Sequence, residues 1–338
     1  MSDPVLLEVT RGDFVESRHS GAIAIYDFDG KPVVEIGDVD RLLFPRSAVK
    51  SMQALPLIET GAADAAGFQD ADLAMACASH VGEPVHVERA AAMLAKVGLD
   101  ESALECGTHW PFDQASEIAL ARAGGAPNQL HNNCSGKHSA FLCVCTHCGM
   151  DHHGYVGFGH PFQQMIRETM EDVTGVAHDG ANAAVDGCAI PTYAVPLRAL
   201  AYGFSRMGGG KGLAVDRAAA AKRLMNAAMH NPVYVSGTDK PDTLMMQAAP
   251  GRIFVKGGAE GVFCGVIPER GLAIAVKCND GAGRGADAIG ANILARLFAD
   301  EPDVAARIAP VALPPIRNRN GAIVGGIRPS ALLAELQI

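Results

Sequence analysis

The sequence predicts a mixed α/β fold, with an antiparallel sheet lobe built from both ends of the chain and a mainly helical lobe from its middle. Strand-like alternation occupies the first forty residues and returns after residue 250. Between them, apolar residues recur at helical spacing. No linker rich in Ser or Pro separates these parts. We therefore expect residues 1–45 and 250–338 to form the sheet lobe and 46–249 the helical lobe of one integrated unit.

The chain opens with a predicted antiparallel sheet, in which a turn at Asp29-Gly30 joins two strands. The early strands are expected at Val5–Val9, Ala22–Phe28 and Val33–Ile36. A helical pattern then runs from Ser47 to Thr60, where Pro56 predicts a kink or an early end.

Helical spacing dominates the middle of the chain, and strands return near its end. Further helices are expected at Pro84–Val97, Ala115–Ala123, Lys137–Cys148, Pro161–Val173, Asp216–Met229 and Ala286–Phe298. The late strands are expected at Arg252–Lys256, Gly261–Ile267 and Leu272–Cys278. The sheet lobe therefore takes strands from both termini.

Composition excludes several classes of function. With 37 acidic and 28 basic residues the net charge is −9, and no run of Lys or Arg offers a phosphate-binding stripe, so we expect no nucleic-acid partner. No apolar stretch suits a signal peptide or a bilayer span, so we expect a cytoplasmic protein without a membrane partner. The nine cysteines lack disulfide-scaffold spacing, which leaves thiol or metal chemistry open.

Ser47-Ala-Val-Lys50 places a hydroxyl and an amine three residues apart at a predicted helix start. A lysine kept neutral can take the serine proton and create a nucleophile. Lys256-Gly257-Gly258 follows a predicted strand, where the lysine would border a pocket and the glycines would let substrate lie against the backbone. A cap serine, a solvated lysine and an ordinary turn are the alternatives.

Three polar segments supply further candidates. Ser79-His80 lies in a loop before a predicted helix, where simple capping is the alternative to a role in a site. Asn132–His138 opens another helix with small and polar groups that are unfavourable to bury unless they build a site. Cys134 and Cys188 could bind Zn²⁺ as thiolates with a nitrogen ligand and water, or they could be inert buried cysteines.

Together these segments resemble the rhizobial-type L-asparaginases, the asparaginase II family, over most of the chain. The resembling segments are Arg46–Ser51, Cys77–Glu83, Gly107–Pro111, Asn132–His138, Asp186–Cys188 and Lys256–Gly261. The resemblance implies a fold similar to serine β-lactamases, penicillin-binding proteins and glutaminases, a homodimer, and hydrolysis of L-asparagine to L-aspartate and ammonia.

The resemblance also implies roles for individual residues. It makes Ser47 the nucleophile and Lys50 its base, with Ser79 and Lys256 as a second serine–lysine pair. One Zn²⁺ per chain would be held by Cys134, Lys137 and Cys188. This ion would modulate the activity rather than be essential to it. Residues expected to contact the substrate are Arg46, His80, Asn133, His138 and Asp186.

Four hypotheses about activity follow. The first is an amidohydrolase with a serine-linked acyl-enzyme. The second is a zinc-dependent amidohydrolase in which metal-bound water attacks. The third is a non-catalytic amino-acid-binding protein. The fourth is a serine hydrolase of the β-lactamase or glutaminase type, and the absence of a Ser-Asp-Asn triplet from the predicted helical lobe disfavours its β-lactamase form.

Overall fold

The computed structural model describes residues 3–338, which divide into two units. Unit 1 comprises residues 3–48, 195–211 and 244–338, and unit 2 comprises residues 49–194 and 212–243. Helices and strands are mixed, as predicted. No helix within the described range is both long and apolar enough to cross a bilayer.

The strands are β1 (Val5–Arg11), β2 (Phe14–Asp27), β3 (Pro32–Ile36), β4 (Leu42–Leu43), β5 (Ala183–Val185), β6 (Pro191–Tyr193), β7 (Val195–Pro196), β8 (Phe254–Gly258), β9 (Val262–Ile267), β10 (Leu272–Cys278), β11 (Pro315–Arg317) and β12 (Ile323–Pro329).

The α-helices are α1 (Lys50–Gln53), α2 (Leu55–Glu59), α3 (Ala62–Ala65), α4 (Asp70–Ala76), α5 (Pro84–Ala95), α6 (Gln114–Arg122), α7 (Ser135–His147), α8 (Pro161–Thr174), α9 (Leu197–Gly209), α10 (Val215–His230), α11 (Pro232–Val235), α12 (Pro241–Ala248), α13 (Gly283–Leu297), α14 (Pro302–Ala312) and α15 (Ala331–Ala334). Short 3₁₀ helices cover Arg46–Val49, Glu101–Ala103, Gln129–His131 and Pro268–Arg270.

Unit 1 is built on an eight-stranded antiparallel sheet in the order β11-β12-β1-β2-β10-β9-β8, with β3 also paired to β2. The long strand β2 joins its two halves, because its first residues pair with β1 and its last with β10. Every residue of β9 is buried, and α9 and α13 both pack against the central strands. The helix α9 therefore belongs with the sheet, although its sequence position predicted the helical lobe.

Unit 2 is a helical assembly centred on α7. Residues 135–145 of that helix are all buried, as expected of a helix surrounded by other elements. The helices α3, α4 and α5 pack around it, and α10 packs on α4. Its first turn contains Lys137 and its N-cap is Cys134, so two predicted site residues lie at the start of this buried helix.

The helix predicted from Ser47 to Thr60 is broken, as Pro56 indicated. A 3₁₀ turn (Arg46–Val49), α1 and α2 replace one continuous helix. Pro56 has no N–H to donate to the preceding turn, so it sits in the first turn of α2, where that group is not required.

Strand β2 begins at Phe14, earlier than the predicted Ala22. Its first half is largely exposed and polar, so it lacks the alternation that marks a half-buried strand. The strands β11 and β12 were not predicted for the same reason, since they are short, rich in glycine or largely exposed.

Close packing of α13 on the sheet yields a test of stability. A Cβ at Gly290 would lie 2.6 Å from Cδ1 of Phe263 on β9, so Gly290→Ala forces a buried ring to move. We expect the free energy of unfolding to fall by about 1–3 kcal/mol, the usual effect of overpacking. Chemical denaturation measures it. The control is Gly283→Ala in the same helix, because no described atom lies within 4 Å of that Cβ. Equal effects of the two substitutions would refute this account of the packing.

Candidate functional site

The segment that presents Ser47 is a strained turn in unit 1. Ser47 is half-buried in the 3₁₀ helix Arg46–Val49. Arg46 has a left-handed backbone with φ of 52°. A left-handed non-glycine residue costs of order 1–3 kcal/mol and persists only where its surroundings hold it. Ala189 and Glu260 share this conformation, and both lie in or beside segments identified from the sequence.

Gly258, at the end of β8, explains how that turn is held. A Cβ on Gly258 would lie 2.6 Å from the carbonyl oxygen of Pro45 and 3.0 Å from the backbone nitrogen of Ala48. From the sequence, the glycines here are expected to let substrate lie against the backbone. For Gly258 the structure gives a different reason, because the segment from Pro45 to Ala48 occupies the space that its missing side chain leaves; contact with substrate stays a prediction.

Lys256 precedes this glycine on β8 and is 1% exposed. Its Nζ donates a hydrogen bond of 2.8 Å to the carbonyl oxygen of Gly257. The predicted residues Arg46, Ser47 and Lys256 therefore all belong to unit 1, on elements fixed by the sheet.

Unit 2 contains a buried group of two amines and two thiols, which we call the Lys–Cys cluster: Lys50, Cys134, Lys137 and Cys188. Lys50 Nζ donates to Cys134 Sγ at 3.0 Å and to the carbonyl oxygen of Ala78 at 2.5 Å. Lys137 Nζ donates to Cys188 Sγ at 3.1 Å. The two sulfurs are hydrogen-bonded to each other, so the four side chains form one connected chain.

Two separate turns bring the sulfurs together. Cys134 is the N-cap of α7, and its backbone N–H donates 2.8 Å to the side-chain oxygen of Asn132. Cys188 lies in the tight turn between β5 and β6, where Ala189 donates its N–H to the carbonyl oxygen of Asp186. Both cysteines are free.

Charge in the Lys–Cys cluster is shared unevenly. The hydrogen bond from Cys134 lowers the pKa of the Cys188 thiol to about 5, because it stabilises the thiolate. The same hydrogen bond, with burial, raises the pKa of Cys134 to about 12. Burial is the largest single effect on Lys137 and acts to lower its pKa, but the charges of Cys188, Cys134 and Asp186, together with the hydrogen bond to Cys188, outweigh burial and raise that pKa. The cluster thus pairs a thiolate with an ammonium group away from water.

Asn133 links Ser79 to the Lys–Cys cluster by hydrogen bonds. Asn133 Nδ2 donates 3.1 Å to Ser79 Oγ, and its carbonyl oxygen accepts from Lys50 Nζ at 3.4 Å and from the N–H of His80 at 3.1 Å. Four predicted residues, Lys50, Ser79, Asn133 and Cys134, are therefore brought together within unit 2.

Two residues in this arrangement were not predicted as site residues. His109 Nε2 accepts 2.9 Å from the backbone N–H of Asn133, and its ring stacks on Phe112. Asn132 is buried and donates through Nδ2 to the carbonyl oxygens of Cys106 and Gly107. His109 lies within the resembling segment Gly107–Pro111, which was the only signal in the sequence for its position.

The predicted substrate residues His80 and His138 are both fully buried. His80 uses both ring nitrogens, since Nδ1 accepts from Gly82 and Nε2 is 2.8 Å from Ser135 Oγ. These hydrogen bonds position the loop that contains His80. They do not support direct contact of His80 with substrate, which stays a prediction. His138 Nδ1 bonds the Tyr155 hydroxyl at 2.6 Å, and its Nε2 has no hydrogen-bond partner among the described residues.

The chain matches a known protein family over nearly its whole length. The model of the family L-asparaginase II matches residues 7–329. The chain belongs to this family. The resemblance found in the sequence is thereby confirmed. No curated protein sequence matches the chain.

Two solved structures resemble this L-asparaginase II family member. One is a β-lactamase from Mycobacterium bovis, with a TM-score of 0.44 and 16% identity, over 83% of this chain and 94% of that one. The other is a candidate β-lactamase from Bacteroides dorei, with a TM-score of 0.38 and 12% identity, over 76% of this chain and 84% of that one.

The contact between Gly258 and the Ser47 turn can be tested by substitution. Gly258→Ala should displace residues 45–48 and lower the free energy of unfolding by about 1–3 kcal/mol, the usual effect of overpacking, which chemical denaturation measures. Gly265→Ala on β9 is the control, since its nearest neighbour would be 3.3 Å away, on the backbone of Phe254. An equal free energy of unfolding in Gly258→Ala and Gly265→Ala would contradict the close contact assigned to Gly258.

Proposed function

We propose that this member of the L-asparaginase II family hydrolyses L-asparagine to L-aspartate and ammonia through an ester on Ser47. The family supports an amidohydrolase of the L-asparaginase type. The observation that favours serine chemistry most is the setting of Lys50. It is 1% exposed, and its amine donates hydrogen bonds to backbone carbonyls and to a thiol. In general, burial disfavours the charged form of an amine, and only the neutral form acts as a base.

The proposed reaction has two steps. Lys50 accepts the proton of Ser47 Oγ as that oxygen attacks the side-chain amide carbon, and ammonia leaves with a returned proton. Water then hydrolyses the β-aspartyl ester and regenerates the serine. Ser79 and Lys256 are proposed as a second serine–lysine pair. Backbone N–H groups, that of Ser47 among them, would stabilise the oxyanion.

The donor atoms of the Lys–Cys cluster fit a zinc ion. Two sulfurs and an amine are the soft and borderline ligands that Zn²⁺ prefers, and one of the sulfurs already favours the thiolate form. We propose that Cys134, Lys137 and Cys188 hold one Zn²⁺ per chain. When bound, zinc would supply positive charge that orients the polar end of the substrate. Lys137 must lose its proton to bind it.

A small zwitterionic substrate requires a cation for its carboxylate and an anion for its ammonium group. Arg46 and Asp186 are proposed for these two contacts. Asn133 and His138 would complete the set, since the former holds Ser79 and the latter has a buried nitrogen with no partner among the described residues. A cytoplasmic homodimer remains a prediction from the sequence.

The nucleophile can be tested with two neighbouring serines. Ser47→Ala should lower kcat for ammonia release by at least about a thousandfold, as loss of a nucleophile does, without lowering thermal stability. Ser51→Ala is the matched control. Its hydroxyl is buried and has no hydrogen-bond partner within residues 3–338, so its loss should leave kcat within about twofold. Retained activity in Ser47→Ala would refute the assignment.

Removal of zinc separates the serine mechanism from the metal-hydroxide alternative. After chelation we expect KM for L-asparagine to rise by about tenfold or more while kcat changes little, because the proposed metal orients substrate and supplies no nucleophile. Steady-state ammonia release by the chelated protein, measured before and after zinc is restored by dialysis against Zn²⁺, gives both constants. A complete and reversible loss of kcat at unchanged KM would favour attack by metal-bound water instead.

A further inference from the structure

A second group of ligating side chains lies in unit 1, at the junction of β2, β10 and α13. His19 is on β2, Cys278 ends β10, and Asp280 follows two residues later. The strands pair in register here, with Gly21 opposite Cys278 and the N–H of Asn279 donating to the carbonyl oxygen of Ser20. Backbone pairing therefore fixes the positions from which the three side chains converge.

The three side chains are close enough to share one ion. His19 Nδ1 lies 2.6 Å from Asp280 Oδ2, and Cys278 Sγ lies 3.0 Å from Asp280 Oδ1. One ligand atom from each residue lies within 4.8 Å of the other two. Zinc is bound at about 2.0–2.3 Å by sulfur, nitrogen and oxygen, so small shifts of these atoms would accommodate it.

Burial distinguishes this group from a surface cluster. His19 is 2% exposed and Cys278 is fully buried, whereas the Asp280 side chain is 46% exposed. An ion held here would be covered on the histidine and thiol side and open to water beside the carboxylate. Three protein ligands and one open position form a usual zinc arrangement.

Gly285, in the first turn of α13, keeps the ligand atoms clear on the helix side. A Cβ at this position would lie 2.8 Å from Cys278 Sγ and 3.0 Å from Cγ of His19. Any larger residue would push the thiol and the imidazole apart. The glycine therefore maintains the space in which the two groups approach each other.

A hydrogen bond from Arg284 to His19 competes with metal binding at this group. Its Nε donates 3.2 Å to His19 Nε2, which fixes the proton of a neutral imidazole on Nδ1, facing Asp280. A metal on Nδ1 requires that proton to move to Nε2, so the hydrogen bond from Arg284 must break. Because Arg284 is exposed, it can turn away into solvent. The competition between Arg284 and the metal would set the affinity of the site.

We propose that His19, Cys278 and Asp280 form a second divalent-metal site that takes Zn²⁺ and fastens the end of β10 to β2. Binding would release the thiol proton to solvent and transfer the imidazole proton from Nδ1 to Nε2, with no redox change. The site is independent of the serine chemistry proposed above, so the failure of either proposal leaves the other standing.

Cobalt titration of the metal-stripped full-length protein tests the proposal, because a thiolate bound to Co²⁺ gives a charge-transfer band. We expect Cys278→Ala to remove one equivalent of bound Co²⁺ together with its share of the band. Cys264→Ala is the matched control, since this buried cysteine on β9 lies in the same unit outside the group, and it should remove none. Cys134→Ser combined with Cys188→Ser should leave the Cys278 equivalent in place.

Two further variants keep the test decisive if Cys278→Ala does not fold. Asp280→Asn changes a half-exposed side chain and should weaken Co²⁺ binding at the site by at least about tenfold. Arg284→Gln removes the competing donor and should tighten it several-fold. Unchanged stoichiometry and affinity in Asp280→Asn would overturn the proposal, as would a full charge-transfer band in folded Cys278→Ala.

Discussion

The burial of Lys50 and Lys137 against Cys134 and Cys188 is the constraint on which the candidate site depends. Two amines removed from water would destabilise a helical core unless each found a partner, and each amine donates a hydrogen bond to one of the two thiols. Because the sulfurs are hydrogen-bonded to each other, charge on one alters the proton affinity of the other. A change of protonation at either lysine therefore changes the charge that the two sulfurs must share.

Backbone geometry fixes where these groups lie. Turns around Asn132 and Ala189 place the two cysteines, and the left-handed Arg46 with the close approach of Gly258 sets the turn that contains Ser47. Such contacts resist adjustment because they involve main-chain atoms rather than flexible side chains. In general, catalysis by a serine and a lysine requires this kind of preorganisation, since small displacements of a nucleophile are costly.

Sequence patterns were sufficient for the half-buried strands, the break at Pro56 and the family. They failed where structure depends on distant partners. The role of Gly258 follows from contact with residues 45–48, and the association of α9 with the sheet follows from packing that helical spacing does not encode. His109 contributes through a main-chain hydrogen bond of Asn133, which no pattern in the sequence predicts. The roles assigned to Ser47, Lys50 and the zinc ligands remain predictions.

The central claim is that Lys50 enables Ser47 to form an ester with the substrate. Acid quenching during turnover of L-asparagine, followed by digestion and mass spectrometry, tests it most directly. The account predicts that the peptide containing Ser47 gains the mass of one aspartyl group in the unsubstituted protein and does not gain it in Lys50→Met. An aspartyl group on another peptide, or its undiminished formation in Lys50→Met, would contradict the account.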